Sequence, residues 1–530
     1  MDKLFSLNTI LCAALGAVFS YYGIAPLILK YHDIRLFFVI FILLSGLSAL
    51  CKTLSTLPDS LLFSRLNARE ISHSDEFRYQ TKRLSLFLVF FTGGLLIGIS
   101  TRGEAFREGR ISAGLPVQEI TGITGVLLED PRTSSTGRGM GLMRLTHSAG
   151  KDGSRVSSKG KILVFFPEGS IPRLKEFGRG STIYVDGNFV ESKKNTAETS
   201  IFRAGSSHII KGPSKLDRIR THTRLALIGV FSGEGDADKK ARPAGNKAWG
   251  GLALALLLGI RDNLDSKLAA QYQNAGCSYI LALSGMHLAI ISSIITFLLK
   301  KPLGLKISTV VCAVFTILYV TLVGAQPSLV RSALMYLIGA LTILFSWRKD
   351  AVRLLAVSFI VQLVIDSSSG ESISFILSYL ALLGILVLGQ RIAELSRGII
   401  PTFLSEPLSA SLGAFFATIS ITEYFFASLR PIGIIAGLVM VPLTTVFMIA
   451  SIIYLAAFFF PVPITAPLET CLSLLYKALE KTAYLAGKAP ELTIIDPSFF
   501  IVLGIIMPFV LLSVCRHRLK LRQKIRRISV

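Results

Sequence analysis

Apolar runs of roughly the length that crosses a lipid bilayer as a helix recur along this chain and limit the folds it can adopt. Some precede residue 101, namely residues 5–24, 34–51 and 84–100. The others follow residue 277, namely residues 278–299, 307–324, 329–346, 351–366, 373–390, 406–428 and 496–515. Since 51% of the 530 residues are hydrophobic, one soluble core cannot hold them, and the pattern predicts a polytopic α-helical membrane protein.

The segment 101–212 has a different pattern. Short alternating or apolar runs are separated there by Gly, Ser, Pro and charged residues, and they cover residues 120–128, 141–146, 161–166 and 181–190. This rhythm is typical of a small antiparallel barrel or sandwich. An OB-like barrel fits the size and the strand rhythm, and other small all-β folds fit nearly as well. The predicted fold class is a polytopic α-helical membrane protein with an inserted small all-β, OB-like domain.

Basic residues orient these elements relative to the membrane. The polar loop between the second and third runs carries Lys52, Arg65, Arg69, Arg78, Lys82 and Arg83. The positive-inside rule places this loop in the cytoplasm, so residues 101–212 are expected outside and both chain termini inside. The predicted regions are N-terminal transmembrane helices (1–100), the OB-like extracytoplasmic domain (101–212), interfacial helices with a linker (213–262), a transmembrane channel domain (263–515) and a basic cytoplasmic tail (516–530).

Two stretches between or within these regions carry further structural signals. Residues 214–231 mix apolar and basic residues with a helical period, which predicts an amphipathic helix on the outer leaflet or capping the membrane domain. Trp249 then begins a short apolar helix that ends near Gly259, with the indole expected at the membrane interface. Counting spans from an outside domain requires residues 431–460 to cross twice or not at all. Pro442 near their middle predicts a broken, re-entrant pair of helices, unless one of the other spans is wrong.

Ser284, Gly285 and His287 stand together at the start of an apolar run. An ionisable imidazole beside a helix-loosening Ser-Gly pair is costly in lipid, so it should face protein or a water-filled space. His287 is therefore a candidate pathway residue, and the alternative is a buried histidine that bonds a helix carbonyl. Ser284 and Gly285 are predicted to bend or unwind the helix, with close helix packing as the alternative.

Five short stretches follow one another in the second half of the chain: residues 256–261, 275–287, 326–335, 374–379 and 433–443. This ordered series, with N-terminal spans and an outer OB-like domain, resembles the ComEC family of competence DNA-uptake channels of the bacterial inner membrane. The resemblance implies a channel that passes single-stranded DNA into the cytoplasm during natural transformation. The chain departs from the family at Tyr279, where members tend to carry His, and at Gly437, where they tend to carry Asn.

A polyanion cannot cross hydrocarbon, so a DNA pathway must be water-filled and lined by polar or cationic groups. Arg331, expected just inside the outer side of the membrane, would meet incoming phosphates. The alternatives are that it snorkels to the interface or pairs with Asp366. The predicted DNA pathway comprises Arg261, Ser284, Gly285, His287, Arg331 and Pro442.

The outer domain is the predicted mouth of this pathway. OB barrels hold single strands by stacking bases on aromatic rings while cationic side chains follow the phosphates. The predicted contacts in this domain are Lys161, Phe166, Arg173, Lys175, Arg179, Tyr184 and Arg203. Strand alternation places at least half of the domain's candidate aromatic side chains in the core, and a basic run is most often a solvated face.

No catalytic residue, metal site or cofactor is predicted. The seven histidines never come within metal-ligand spacing in the sequence, and no phosphate-binding Gly-Lys-Ser/Thr loop occurs. Many family members append a nuclease domain of the metallo-β-lactamase type. A nuclease activity is not expected on this polypeptide.

The formal net charge of +23 suits an anionic partner, either nucleic acid or anionic lipid. The expected partners are single-stranded DNA and membrane lipids, with a DNA receptor outside, a separate nuclease and a cytoplasmic DNA motor. Two other functions stay open. One is a transporter or enzyme that acts on a small anionic or lipid-linked substrate through His287, Arg331 and Asp366, and the other is an assembly scaffold. The sequence leaves the oligomeric state open.

Overall fold

The computed structural model describes residues 7–24, 91–102, 112–113, 116–133, 138–167, 174, 176, 178–190, 200–232, 247–347, 350–397, 399–426, 428–459 and 465–491. They divide between two compact units. One unit comprises Met1–Arg110 and Phe345–Ser372, and the other comprises Ile111–Leu344 and Ile373–Val530. The predicted spans at 34–51 and 496–515 and the basic tail lie outside the described residues.

The strands all belong to the second unit. They are β1 (Ser112–Ala113), β2 (Ile120–Leu127), β3 (Arg132–Thr133), β4 (Gly139–Gly150), β5 (Arg155–Lys159), β6 (Lys161–Phe166), β7 (Thr182–Val190) and β8 (Ser200–Lys211).

The helices occur in both units. They are α1 (Leu7–Val18), α2 (residues 91–102), α3 (Lys215–Ser232), α4 (Ala248–Leu258), α5 (Ser266–Asn274), α6 (Ser278–Leu281), α7 (Gly285–Val323), α8 (Pro327–Leu344), α9 (Ala351–Ile365), α10 (Ile373–Ser396, with a π turn at Ile385–Gly389), α11 (Thr402–Phe426), α12 (Ile432–Phe459) and α13 (Thr465–Ala486).

In the first unit, α1 packs against α9, and a short 3₁₀ turn follows α9 at Ser367–Glu371. The hydroxyl of Tyr21 donates to the carbonyl oxygen of Ser367 at 2.6 Å. Arg102, at the end of α2, pairs with Glu371 at 2.7 Å. These polar contacts fasten both N-terminal helices to the segment that follows α9.

Five strands of the second unit close into a ring. β2 pairs with β4 and β7, β4 pairs with β6, and β7 pairs with β8, all antiparallel. The ring closes through β6 and β8, which run parallel. Alternate residues point inward and form a buried core that includes Ile123, Met143, Val164, Phe166 and Phe202. All four predicted strands are therefore confirmed, as β2, β4, β6 and β7, whereas β5 and β8 were missed.

Five described helices are long and apolar enough to cross a membrane: α7, α8, α10, α11 and α12. Helix α7 is in fact a hairpin, because its backbone turns at Gly304 with φ 75° and ψ 170°. Across the two arms, the hydroxyl oxygen of Thr296 lies 3.3 Å from the sulfur of Cys312. Sixteen residues of straight helix would separate these positions by about 24 Å. The two arms correspond to the predicted spans 278–299 and 307–324.

Helix α12 runs without a break from Ile432 to Phe459, with Pro442 inside it. The predicted re-entrant pair is therefore wrong. Pro442 is exposed, and transmembrane helices tolerate proline where neighbouring groups or adjusted geometry satisfy the freed carbonyl.

Helix α13, which the sequence analysis missed, packs antiparallel against α12 over the whole length of both helices. At one end, the hydroxyl of Tyr454 donates to Glu469 at 3.0 Å. At the other end, Arg430 pairs with Glu491 at 2.6 Å. Helix α13 is 22 residues long, but it is not among the described helices that are apolar enough to cross a membrane.

Helices α3 and α4 match the predicted amphipathic and short apolar helices. Helix α4 ends where Gly259 takes a left-handed conformation with φ 68°, which glycine adopts without strain. Trp249 differs from its prediction as an interfacial anchor, because it is 6% exposed and packs edge-on against Phe231 and Tyr454. The indole of Trp249 is therefore buried among aromatic rings rather than exposed at a membrane interface.

Candidate functional site

His287 caps the beginning of α7. Ser284 precedes the helix in an extended conformation, and its backbone N–H donates to Nδ1 of His287 at 2.9 Å. The imidazole is fully buried, and none of the described residues bonds its Nε2. Since Nδ1 accepts a hydrogen bond, the neutral ring carries its proton on Nε2. The Nε2–H group is thus a buried donor to which no described residue bonds. The interruption predicted at Ser284 and Gly285 is a break between α6 and α7.

Arg331 lies one helix away, on α8, and is 8% exposed. It donates through Nη1 to the carbonyl oxygen of Ser378 and through Nη2 to the hydroxyl of Ser332 at 3.4 Å. Its guanidinium carbon lies 5.9 Å from the centre of the Tyr379 ring, within cation–π range. None of the described residues bonds its Nε. Arg331 therefore does not snorkel. It is held among polar groups inside the helix bundle.

Gly285 brings His287 and Arg331 into one cluster. A β-carbon at Gly285 would lie 2.7 Å from the hydroxyl oxygen of Ser332 and 3.7 Å from Nη2 of Arg331. Ser328, one turn before Arg331, donates to the carbonyl oxygen of Leu283 at 2.5 Å. Because Gly285 has no side chain, α8 can approach the break before α7 closely.

All five ordered sequence stretches meet around this cluster. Arg261 of the first donates to the carbonyl oxygen of Leu281 in the second at 3.0 Å. The second meets the third through Ser328, and the third meets the fourth through Arg331. The fifth meets the second where Gly276 and Gly433 are in backbone contact. Stretches that extend from residue 256 to residue 443 thus form one connected structure.

A cluster of arginines, which the sequence analysis missed, joins the β ring to the helices next to this cluster. Arg220 of α3 donates to both carboxylate oxygens of Asp130, at 3.0 and 2.7 Å, and its Nε donates to the carbonyl oxygen of Thr321 at 2.7 Å. Arg224, one turn later, lies 2.9 Å from Asp130 and donates to the carbonyl oxygen of Val323 at 2.9 Å. The arginines thereby satisfy carbonyl groups at the end of α7 that have no partner within the helix.

The electrostatics of this cluster follow from burial and from the crowding of like charges. Burial alone would raise the pKa of Asp130, but the hydrogen bond from Arg220 and the charges of Arg224 and Arg220 outweigh it, so the pKa lies below its ordinary value. Burial, followed by the charge of Arg132, lowers the pKa of Arg261. Arginines paired with Asp130 therefore occupy the place where the β ring meets the end of α7.

Comparison with known proteins bears on the same five stretches. A family model described as competence protein matches residues 256–519, which contain all of them. Among curated proteins, ComE operon protein 3 of Bacillus subtilis (strain 168) is 28% identical over 204 residues, which is 37% of this chain and 25% of that protein. The match thus spans about a quarter of that relative's length. These findings support a ComEC-family protein. No solved structure matches the chain.

The two departures from the ComEC pattern lie against each other. A β-carbon at Gly437 would lie 2.5 Å from the hydroxyl oxygen of Tyr279. The longer side chain at position 279 thus occupies the space that an asparagine at position 437 would need. The two departures are therefore neighbours in space.

The predicted contacts of the β ring have different environments. Phe166 is fully buried in the core, so it has no free face on which a base can stack, and this prediction is wrong. Arg203 is exposed, Tyr184 and Lys161 are half-buried, and the backbone N–H of Arg179 donates to Asp130 at 3.0 Å. Arg173 and Lys175 lie outside the described residues.

Two further candidates from the sequence are Asp366 and Pro442. Asp366, considered as a partner of Arg331, belongs to the first unit, where it accepts hydrogen bonds from Ser368 and Ser369 at 2.6 Å each. Pro442 lies in the fifth stretch and is exposed on α12. Within the described residues, no three His, Cys, Asp or Glu side chains are grouped as metal ligands would be.

Proposed function

We propose that this chain is a non-enzymatic channel that passes single-stranded DNA inward across the bacterial cytoplasmic membrane during natural transformation. The match to the ComEC family supports a role in DNA uptake. The observation that carries the proposal is the position of the arginine cluster. Arg220 and Arg224 bond both Asp130 and the end of α7, and Arg261 bonds the carbonyl oxygen of Leu281 in the second of the five stretches.

The strand pairing supports an OB-type barrel for the β ring. In the order β2, β4, β6, β8, β7, each strand pairs with the next and the last pairs with the first. Five strands with one parallel contact, between the third strand and the last, are the arrangement of an OB barrel. Such barrels hold single strands through cationic grooves and stacking rings. Arg203 and Tyr184 are the candidates for those two roles here.

The buried cluster supports the path itself. A strand that carries one negative charge per nucleotide needs donors that are fixed before it arrives. Nε2 of His287 and Nε of Arg331 are buried donors, and none of the described residues accepts from them. The proposed orientation has the β ring outside and both chain termini in the cytoplasm. The proposed partners are membrane lipids, a DNA receptor outside, a separate nuclease and a cytoplasmic motor.

The test is uptake of labelled DNA into the cytoplasm of cells that lack the gene, rescued by the wild-type chain or by variants at matched membrane levels. The expected result is rescue by the wild-type chain and failure of His287→Ala and Arg331→Ala. Glu394→Gln, which removes an exposed ion pair with Arg391 on α10, is the matched control and should rescue fully. Normal uptake in cells without the gene would overturn the proposal and favour a transporter or enzyme of a small anionic substrate.

A further inference from the structure

Helix α13 has three distinct sides. Leu472, Tyr476, Leu479 and Ala483 are buried against the neighbouring helices. An exposed apolar side carries Leu474, Ala478 and Leu485. Between them runs a third side with Lys477, Lys481 and Tyr484 at positions i, i+4 and i+7, which fall on one face of a helix. Lys488 follows in the turn just after the helix ends at Ala486, and all four residues are exposed.

The four residues of this face, called here the lysine face, have no acidic partner in the described part of the chain. No described carboxylate lies within ion-pair distance of Lys477 or Lys481. Lys488 stacks on the ring of Tyr484, with its Nζ 4.6 Å from the ring centre. Lys477 and Lys481 are about 6 Å apart along the helix axis. The face is thus a row of cations with one aromatic ring among them.

The position of α13 decides what this row can face. Because α13 is fastened antiparallel to α12 at both ends, its lysine face extends alongside a helix that is long and apolar enough to cross a membrane. Lysine ammonium groups are strongly disfavoured in contact with hydrocarbon. A helix that is half apolar and half cationic on its exposed side therefore borders lipid or protein on one side and water on the other.

We infer that the lysine face lines the water-filled path and binds the phosphates of the passing DNA strand, with Tyr484 available for a base. This inference rests on the proposed function, since the anion is the DNA that the channel carries. Charge complementarity selects a polyanion over a second protein surface, because a row of cations with an aromatic ring is what single strands bind. Lipid headgroups would contact only lysines near a helix end, whereas Lys477 lies near the middle of α13.

The first experiment measures DNA uptake in cells that lack the gene and carry the double variant Lys477→Gln, Lys481→Gln. The matched control is Lys300→Gln, Lys301→Gln, two exposed lysines at the turn of the α7 hairpin. The expected result is at least a tenfold loss of uptake in the first variant and less than a twofold change in the control. If the wild-type chain rescues uptake and both variants rescue equally, the inference is wrong while the proposed function stands. If the wild-type chain does not rescue, the proposed function itself is wrong.

The second experiment reads the environment of the face directly in the full chain, purified in detergent. Lys481→Cys is made in a Cys471→Ser background, since Cys471 is exposed on the same helix. A charged thiol reagent should react quickly at position 481, slowly at Ala478→Cys on the apolar side, and more slowly at position 481 when oligo-dT is added. An unreactive Lys481→Cys, or a reactive one that oligo-dT does not protect, would overturn the inference.

Discussion

Arg220 and Asp130 form a buried ion pair that connects the β ring to the membrane helices, with both carboxylate oxygens bonded at 3.0 and 2.7 Å. The third guanidinium nitrogen of Arg220 donates at 2.7 Å to the carbonyl oxygen of Thr321 in α7. One planar guanidinium, with donors on all three nitrogens, thus serves two elements at once. Lysine, with a single ammonium, lacks this geometry.

Asp130→Asn should destabilise the junction strongly. It leaves the guanidinium of Arg220, 6% exposed, without its counter-ion, which costs about 3 kcal/mol for a buried pair. The neighbouring variant Glu129→Gln breaks an ion pair with Arg132 whose side chains are each 51% exposed, and about 0.5 kcal/mol or less is expected there. Denaturant unfolding of the purified chain measures both. Equal losses would show that the Asp130 pair is not the connection.

Acid should loosen the same junction. The pKa of Asp130 is lowered in the folded chain, so its contribution to stability is complete above the ordinary aspartate value of about 3.9 and is lost as the pH falls through the lower folded value. Between pH 5 and 8, roughly, this group gives no pH dependence. Limited proteolysis between α3 and the β ring should therefore accelerate only below about pH 4. The acceleration should be absent in Asp130→Asn, which has lost the titrating group.

Arg331 should not tolerate lysine. Lysine keeps the charge but loses the planar group that reaches Ser378, Ser332 and the ring of Tyr379 together. We expect Arg331→Lys to lower DNA uptake about tenfold, as the loss of one cation–π contact and one charge-assisted bond implies. Tyr379→Phe keeps the ring and should retain most of the uptake. Full uptake by Arg331→Lys would mean that charge alone matters at this position.

The α7 hairpin can be tested with a cysteine. Thr296→Cys should form a disulfide with the native Cys312, because the two side chains are 3.3 Å apart across the hairpin. The bond is read as loss of thiol labelling that a reductant restores. Ile294→Cys, two residues earlier and turned away from Thr296, serves as the control. A straight α7 would separate positions 296 and 312 by about 24 Å and give no bond.

Patterns confined to one element were predictable from the sequence. Short alternating or apolar runs located β2 and β6, and mixed apolar and basic residues located α3. Strand β8 was missed because Gly205, Ser206 and Ser207 interrupt its alternation. Helix α13 was missed because its cationic side lowers its mean hydropathy, although its length matches a span. Pro442 suggested a break because local propensity disfavours proline in a helix, yet packing against α13 keeps α12 continuous.

Contacts between distant elements were not predictable in the same way. His287 and Arg331 stood out because each is an ionisable residue in apolar sequence, and the structure places both beside Gly285. Asp130, Arg220 and Arg224 lie in polar segments, where charged residues are common. The sequence pattern therefore gave no reason to select them as site residues. Their importance arises from burial between the β ring and α7, and burial depends on the fold rather than on local pattern.

Tyr279 and Gly437 allow a test of a compensated exchange. Gly437→Asn alone places a β-carbon 2.5 Å from the hydroxyl oxygen of Tyr279, and overpacking of this kind costs about 1–3 kcal/mol. Tyr279→His alone removes the hydroxyl and leaves a gap beside α12, which should cost less. The double variant restores the residues that the ComEC family tends to carry, and it should be more stable than Gly437→Asn. Thermal unfolding midpoints of the four chains form a double-mutant cycle in which the coupling free energy favours the double variant. Additive effects would mean that the two positions changed independently.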